Sequence, residues 1–293
     1  MLTLEGTFTA MVTPFSEGRL NEEKLREMVE FQIESGISGL VPVGTTGESP
    51  TLSHEEHRKV VDILIEAAGG RVPVIAGTGS NNTTEAISLT RHAEKAGADA
   101  ALLITPYYNR PSQPGLIEHY KAVASNASIP LIIYNCPGRT AVNTNADTIV
   151  ELSGLSTIAG IKEASGNMDQ ICDIINRTPD DFFVLSGDDS MTVPMIAVGA
   201  KGIISVTSNA APKHMVAMTN AALEGDFETA RRLHHELFPV MRAMMKAETN
   251  PSPVKTAMNI LGMNVGPVRL PLVDPGKEGK ELISSALQNA GLL

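Results

Sequence analysis

The sequence predicts an α/β protein, a (β/α)8 TIM barrel with a C-terminal helical extension. Three observations carry that reading. Eight short apolar runs rich in Val and Ile recur at fairly even spacing, segments with helical periodicity separate them, and three Gly-led tetrapeptides mark the passage from helix to strand. Continuous apolar strands alternating with helices imply a parallel sheet covered on its outer face, and eight such units close into a barrel. A doubly wound open sheet is the alternative built from the same elements.

The apolar runs are, in order, Phe8 to Val12, Gly39 to Val43, Val72 to Ala76, Ala100 to Ile104, Leu131 to Tyr134, Ile158 to Lys162, Phe183 to Ser186 and Ile203 to Val206. Between them, stripes such as Leu25, Met28, Val29 and Ile33, or Val60, Val61, Leu64 and Ile65, put apolar residues on one helix face. Ser53 and Glu56 make a capping-box pattern that starts a helix after the second strand and its loop. Gly36, Gly97 and Gly199 open the tetrapeptide repeats, where a left-handed helix C-cap suits glycine. Beyond about Glu224 the pattern is helical only, over Phe227 to Lys246, Val254 to Leu261 and Lys280 to Ala290, interrupted by Pro251, Pro253 and Pro271. The expected organisation is a catalytic barrel over residues 1–224 and a helical extension over 225–293.

The composition excludes several classes. A chain of 293 residues buries roughly 75% of its unfolded surface, so no disulfide or metal staple is required. With 23 Lys+Arg against 33 Asp+Glu and no basic run, nucleic acid is not an expected partner. Cys136 and Cys172 give neither a disulfide framework nor a CxxC spacing, which fits a reducing compartment. The stretch Met1 to Gly6 has no basic n-region and no long apolar h-region, and no segment is apolar enough to span a bilayer. The expected location is the cytoplasm, with no membrane partner.

In such a barrel, catalytic groups lie at the carboxyl ends of the strands and in the loops just after them. The polar residues there are Thr13, then Thr45, Thr46 and Glu48, Thr78 and Asn81, and Tyr107, Tyr108 and Arg110 from the first four strands. The last four contribute Tyr134, Asn135 and Arg139, then Lys162 and Glu163, Asp188 and Asp189, and Thr207, Ser208 and Asn209. Among eleven lysines, Lys162 alone ends an apolar barrel strand. Partial desolvation there lowers an amine's pKa and frees it to attack a carbonyl as a Schiff-base nucleophile. The alternative is a solvated lysine paired with Glu163. Tyr134 ends the neighbouring strand, where a phenol can pass protons to and from a carbinolamine and imine; otherwise it is a core tyrosine.

The Gly44-Thr-Thr-Gly-Glu48 loop offers two hydroxyls and several backbone donors, a cradle for a small carboxylate if it is more than a turn. It is no P-loop, because no Gly-Lys-Ser/Thr follows, and Gly77-Thr-Gly79 lacks the third glycine of a dinucleotide fingerprint. Asp188 and Asp189 occupy the position where barrels bind phosphate, and they would repel one. Arg139 is the best candidate to fix a substrate carboxylate by a bidentate contact, the alternative being an unliganded loop arginine. His54 and His57 share a helix face, but nothing completes a metal site, and solvated histidines near an interface are expected. Cys136 has no His partner and reads as a bystander.

The set Gly44-Thr-Thr-Gly-Glu-Ser49, Thr105-Pro-Tyr-Tyr-Asn-Arg110, Tyr134-Asn-x-Pro-x-Arg-Thr140, Gly160-Ile-Lys-Glu-Ala164 and Gly202-Ile-Ile-Ser-Val206 resembles the dihydrodipicolinate synthase family over nearly the whole chain. That family lies in the pyruvate-dependent Schiff-base aldolase superfamily, which also contains N-acetylneuraminate lyase. The Lys, Tyr and Gly-Thr-Thr-Gly-Glu features mark only the superfamily. The Tyr107-to-Arg110 segment and above all Arg139 are more specific, since the neuraminate lyases lack that arginine. The resemblance implies Lys162 as the imine-forming residue and Tyr134 as proton donor and acceptor, with Thr45 and Tyr108 completing a hydroxyl relay. It implies Thr46 and the backbone of Ile204 around the pyruvate carboxylate and carbonyl, Gly187 lining the pocket, and Arg139 on the carboxylate of L-aspartate 4-semialdehyde. Tyr108 would reach across a tight-dimer interface, so a homodimer or a dimer of dimers, a homotetramer, is implied. The implied product is 4-hydroxy-tetrahydrodipicolinate, in the diaminopimelate route of lysine biosynthesis, with neither cofactor nor metal.

Where lysine inhibits members of this family, it lies at the tight-dimer interface, and the corresponding positions are Ser49, His54, His57, Asn81, Glu85 and Tyr107. Glu85 suits an ammonium, while Asn81 and the Tyr107 hydroxyl suit a carboxylate. Pro50 departs from the small residue often beside that serine and removes a backbone donor, so weak lysine binding is expected. A water-filled polar interface cleft is the alternative. Two other functions keep the fold: a lyase acting on another 2-oxo acid, which would not need Arg139, and a silent binding protein, which would form no imine.

Overall fold

Eight parallel strands pair in one sheet, and a bridge between Leu40 and Val74 joins its two edges into a barrel. They are β1 Gly6–Ala10, β2 Gly39–Val41, β3 Ile75–Gly77, β4 Ala100–Ile104, β5 Leu131–Asn135, β6 Ile158–Glu163, β7 Phe183–Ser186 and β8 Gly202–Ser205. The computed structural model describes residues 4–293, so the first three residues of the Met1 to Gly6 stretch lie outside the described residues. Each strand is bounded by a helix, in order α1 Glu22–Glu34, α2 His54–Ala68, α3 Thr83–Ala96, α4 Gln113–Ala124, α5 Ala146–Ser153, α6 Met168–Arg177, α7 Thr192–Ala197 and α8 Pro212–Leu223. A two-stranded hairpin, Phe15–Ser16 with Arg19–Leu20, follows β1.

The strands are buried on both faces, as a covered parallel sheet requires. Phe8, Val41, Ile75, Leu102, Ile132, Leu185 and Ile204 fill the barrel interior, whereas Leu103, Ile133 and Ile161 pack outward under the helices. Four apolar runs reach beyond their strands, those of β1, β2, β3 and β8, and two of them show why. Met11 and Val12 belong to the loop after β1, and they are apolar because that loop is itself covered. Val72 and Pro73 fail to extend β3 beyond the bridging Val74, because Pro73 has no N–H to donate to a ladder. The capping box of α2 is present in full, and Gly36, Gly97 and Gly199 have φ of 83°, 97° and 115°, as helix ends that turn left-handed require.

The extension comprises α9 Phe227–Lys246, α10 Ser252–Ile260 and α11 Lys277–Asn289. Leu237 and Met241 pack on Ile203 of β8 and on Met215 and Met218 of α8, and Val240, Met244, Val254, Met258, Ile283 and Leu287 share one apolar cluster with Leu40, Val43, Val60 and Leu64, so the extension packs onto both the last and the first units of the barrel. That contact places the segment between α9 and α11 beside the loop after β2. No helix among the described residues is long and apolar enough to cross a membrane.

Candidate active site

At the carboxyl end of the barrel, a cavity of about 100 Å³ is lined by Thr45, Thr46, Tyr134, Cys136, Arg139, Lys162, Gly187, Asp188, Asp189 and Asn250, among others. Tyr134 and Lys162 face one another as register partners on β5 and β6, with the amine 4.3 Å from the ring centroid. Lys162 is 5% exposed, and its amine makes no hydrogen bond or ion pair among the described residues. Burial is the main force that brings its pKa down from 10.5 to about 8; the Arg139 charge acts in the same direction, while Cys136 and Asp189 oppose it. At that value a useful fraction of the amine is neutral and nucleophilic near neutrality.

The expected alternative partner, Glu163, is absent from the amine's surroundings. Successive strand residues point to opposite faces, and Glu163 accepts instead from Asn135 Nδ2 at 3.0 Å, Gln170 Nε2 at 3.2 Å and the Ser165 N–H at 2.6 Å. Gly187 is where the lysine tail passes: a Cβ there would lie 3.0 Å from Lys162 Cε and 2.8 Å from Ala164 Cβ. The Tyr134 phenol is pushed well above its ordinary pKa by burial and Cys136, against smaller opposing effects of Arg139 and the nearby Thr45 hydroxyl. It therefore remains a protonated donor at neutral pH.

Arg139 is on a helical turn, Pro137–Thr140, just after β5. It is exposed and its side chain makes no hydrogen bond or ion pair among the described residues, so its guanidinium is available to an anion at the mouth. Asp189 is committed: it accepts from Ser205 Oγ at 2.5 Å and from the Thr207 hydroxyl and N–H at 2.8 and 3.0 Å, although burial raises its pKa. Asp188 caps the turn after β7 through Ser190.

Tyr108 and Ile204 are not brought to the cavity. Ile204 is fully buried in β8 opposite Phe8, and its side chain belongs to the interior cluster. Tyr108 is 91% exposed on left-handed backbone, φ 70°. Its loop is held from Asn81, whose Nδ2 donates to Tyr107 O at 3.2 Å and whose carbonyl accepts from Asn109 Nδ2 at 2.9 Å. The ring is thus displayed outward, away from this chain's own site.

A second cavity of about 230 Å³ shares Thr45, Tyr134 and Arg139 with the first and continues past Ser49, Pro50 and Tyr107. Next to it, His54 Nε2 lies 3.2 Å from Glu85, which also accepts from Ser80. One expectation fails here: His57 is not solvated. It is 5% exposed, its Nε2 donates to Gly77 O at 3.0 Å, and burial lowers its pKa to about 4. The α2 face it occupies packs on the barrel, whereas His54, one turn earlier, is free of it.

The sequence pattern missed Asn250, whose Nδ2 donates to Thr46 Oγ1 at 3.1 Å from a position 204 residues away. It also missed the state of Glu48. That residue was placed at the mouth, but it is buried and paired with Lys255 at 2.8 Å. Cys136, read as a bystander, lines the cavity beside Tyr134 and Lys162. Among the described residues, no cluster of His, Cys, Asp and Glu could hold a metal ion.

Residues 3–290 match the model of the dihydrodipicolinate synthetase family. A 4-hydroxy-tetrahydrodipicolinate synthase of Methanothrix thermoacetophila is 54% identical over 96% of this chain and 95% of its own length. Among solved structures, the dihydrodipicolinate synthase of Acinetobacter baumannii complexed with pyruvate superposes with a TM-score of 0.97 at 42% identity, covering 99% of this chain and 100% of that one. The enzyme of Cyanidioschyzon merolae with lysine bound gives 0.96 at 37% identity, covering 99% of both chains.

Proposed function

Because the chain belongs to the dihydrodipicolinate synthetase family, we propose that Lys162 and Tyr134 at its barrel mouth carry out that family's condensation. The activity is the joining of pyruvate to L-aspartate 4-semialdehyde, giving 4-hydroxy-tetrahydrodipicolinate in the diaminopimelate route to lysine. The observation that carries the residue assignment is the desolvated, unpaired Lys162 amine against the Tyr134 phenol in one cavity.

In this reading neutral Lys162 attacks the pyruvate carbonyl, and Tyr134 protonates the carbinolamine oxygen that leaves as water. The protonated imine is the electron sink: loss of a methyl proton gives the enamine, whose carbon attacks the aldehyde of the second substrate. The semialdehyde's amine then attacks the imine carbon, closes the ring and releases Lys162. Thr46 and the loop around it hold the pyruvate carboxylate, with Gly187 completing the pocket and Ile204 left in the barrel interior. Arg139 receives the carboxylate of the semialdehyde. Thr45 links Tyr134 to the relay, and Tyr108 of a second copy completes it, which accounts for a bulky aromatic displayed on strained backbone. The assembly is then a homodimer or a dimer of dimers, in which lysine is an effector bound around Ser49, His54, Asn81, Glu85 and Tyr107, with His57 buried behind them against Gly77 O.

Parallel assays of condensation with the semialdehyde and of cleavage of nine-carbon sugar acids test the assignment of substrate. The semialdehyde should be strongly preferred, and Arg139→Ala should raise its KM by about tenfold or more while leaving pyruvate trapping intact. Faster cleavage of the sugar acid would assign the site to another 2-oxo acid.

A further inference from the structure

The loop from Gly44 to Glu48 is flanked by strained backbone. Val43 and Glu48 have φ of 49° and 57°, in the left-handed region. For a β-branched residue that is an outlier, and it persists only when the surroundings impose it. At its Glu48 end the loop is held by the C-terminal extension. Lys255, 1% exposed, donates to Glu48 Oε1 at 2.8 Å, Thr13 O at 2.9 Å and Pro267 O at 2.7 Å, which uses all three ammonium protons. The other Glu48 oxygen accepts the Arg269 N–H at 2.9 Å, and Thr13 Oγ1 donates to Gly47 O at 2.6 Å. The Phe15 ring covers the group, 4.4 Å from Lys255 Nζ and 4.0 Å from the Arg269 guanidinium.

Neither Glu48 nor Lys255 lines either cavity, so the pair does not touch substrate. Nor is stability a sufficient reason for it, because burying two charges costs about as much as their attraction returns, and apolar replacements of similar volume are often neutral. Its distinctive effect is geometric. The pair fixes the end of the loop whose preceding residues are Thr45 and Thr46, and Asn250 of the same extension fixes the Thr46 hydroxyl.

We propose that Glu48 and Lys255 are positioning residues that clamp the threonine loop in the geometry that receives the pyruvate carboxylate. The C-terminal extension is thereby a part of the pyruvate site. The inference rests on reading Thr46 as a carboxylate ligand. The double variant Glu48→Gln/Lys255→Met removes both charges together, so that only the Thr13 and Pro267 carbonyls lose a donor, and it should lower Tm by less than Lys255→Met alone. Its KM for pyruvate should rise by about tenfold or more, with the KM for the semialdehyde unchanged. Lys255→Met alone should be far less stable, because Glu48 is left buried without its cation. An unchanged pyruvate KM in the double variant overturns the clamp, as does an equal loss toward both substrates accompanied by a large fall in Tm. Thr46→Val in the same assay separates the two levels: a raised pyruvate KM there leaves the carboxylate reading standing whatever the double variant does, and an unchanged one overturns that reading and the clamp together.

Discussion

Tyr134 and Lys162 occupy one rung of the β5–β6 ladder, and the next rung pairs Asn135 with Glu163. The two rungs face opposite ways. Lys162 and Tyr134 point into the barrel mouth, while Glu163 hydrogen-bonds Asn135 behind the sheet. Strand alternation alone therefore separates the lysine from the carboxylate next to it in sequence, and that separation leaves the amine unpaired.

Tyr134→Phe should slow turnover by about 100-fold or more, the usual scale for a positioned general acid or base, with the fold intact because the ring still packs. Thr45→Val and Tyr108→Phe should give smaller losses in the same kinetic step. Single-turnover kinetics with a Tm measurement would check this, and near-normal turnover in Tyr134→Phe would remove the phenol from the mechanism.

The depressed Lys162 pKa has two consequences with opposite signs for activity and stability. Imine formation should accelerate as pH rises through about 8, where the amine loses its proton. The unfolded chain, with an ordinary value of 10.5, binds more protons than the folded one between these limits, so the penalty is fully present below about 8 and fades as pH approaches 10.5. Lys162→Met removes a penalty on the order of 3 kcal/mol and should melt higher than the parent at pH 7, with the gap closing above pH 8. A gap independent of pH would contradict the shift.

Lysine should bind only weakly between subunits, and Glu85→Ala should abolish that binding. Glu85 and His54 stand beside the cavity that Ser49, Pro50 and Tyr107 line, and Pro50 offers no backbone donor there. Calorimetry showing tight binding would contradict the proposed effect of Pro50. Unchanged binding in the Glu85 variant would show that this pocket is not the effector site.

The elements that sequence made legible are those governed by local periodicity. The run Ala100 to Ile104 and the helix Phe227–Lys246 coincide with their sequence limits because apolar spacing and end signals are short-range. Lys162, Tyr134 and Arg139 were legible because barrel topology sends strand ends to one face. Glu48 and Lys255 were not: they are 207 residues apart, and nothing in either neighbourhood signals burial of a charge. Asn250 escaped for the same reason. His57 escaped because which side of α2 meets the barrel depends on the next strand's backbone, here Gly77 O.

The most direct test of the account is reduction with borohydride in the presence of pyruvate, followed by identification of the modified peptide. One reduced pyruvate adduct per chain, on Lys162, is the expected result, and Lys162→Arg should give none, because a guanidinium stays protonated and cannot attack the carbonyl. An adduct on another lysine, or none in enzyme that still turns over, would contradict the mechanism.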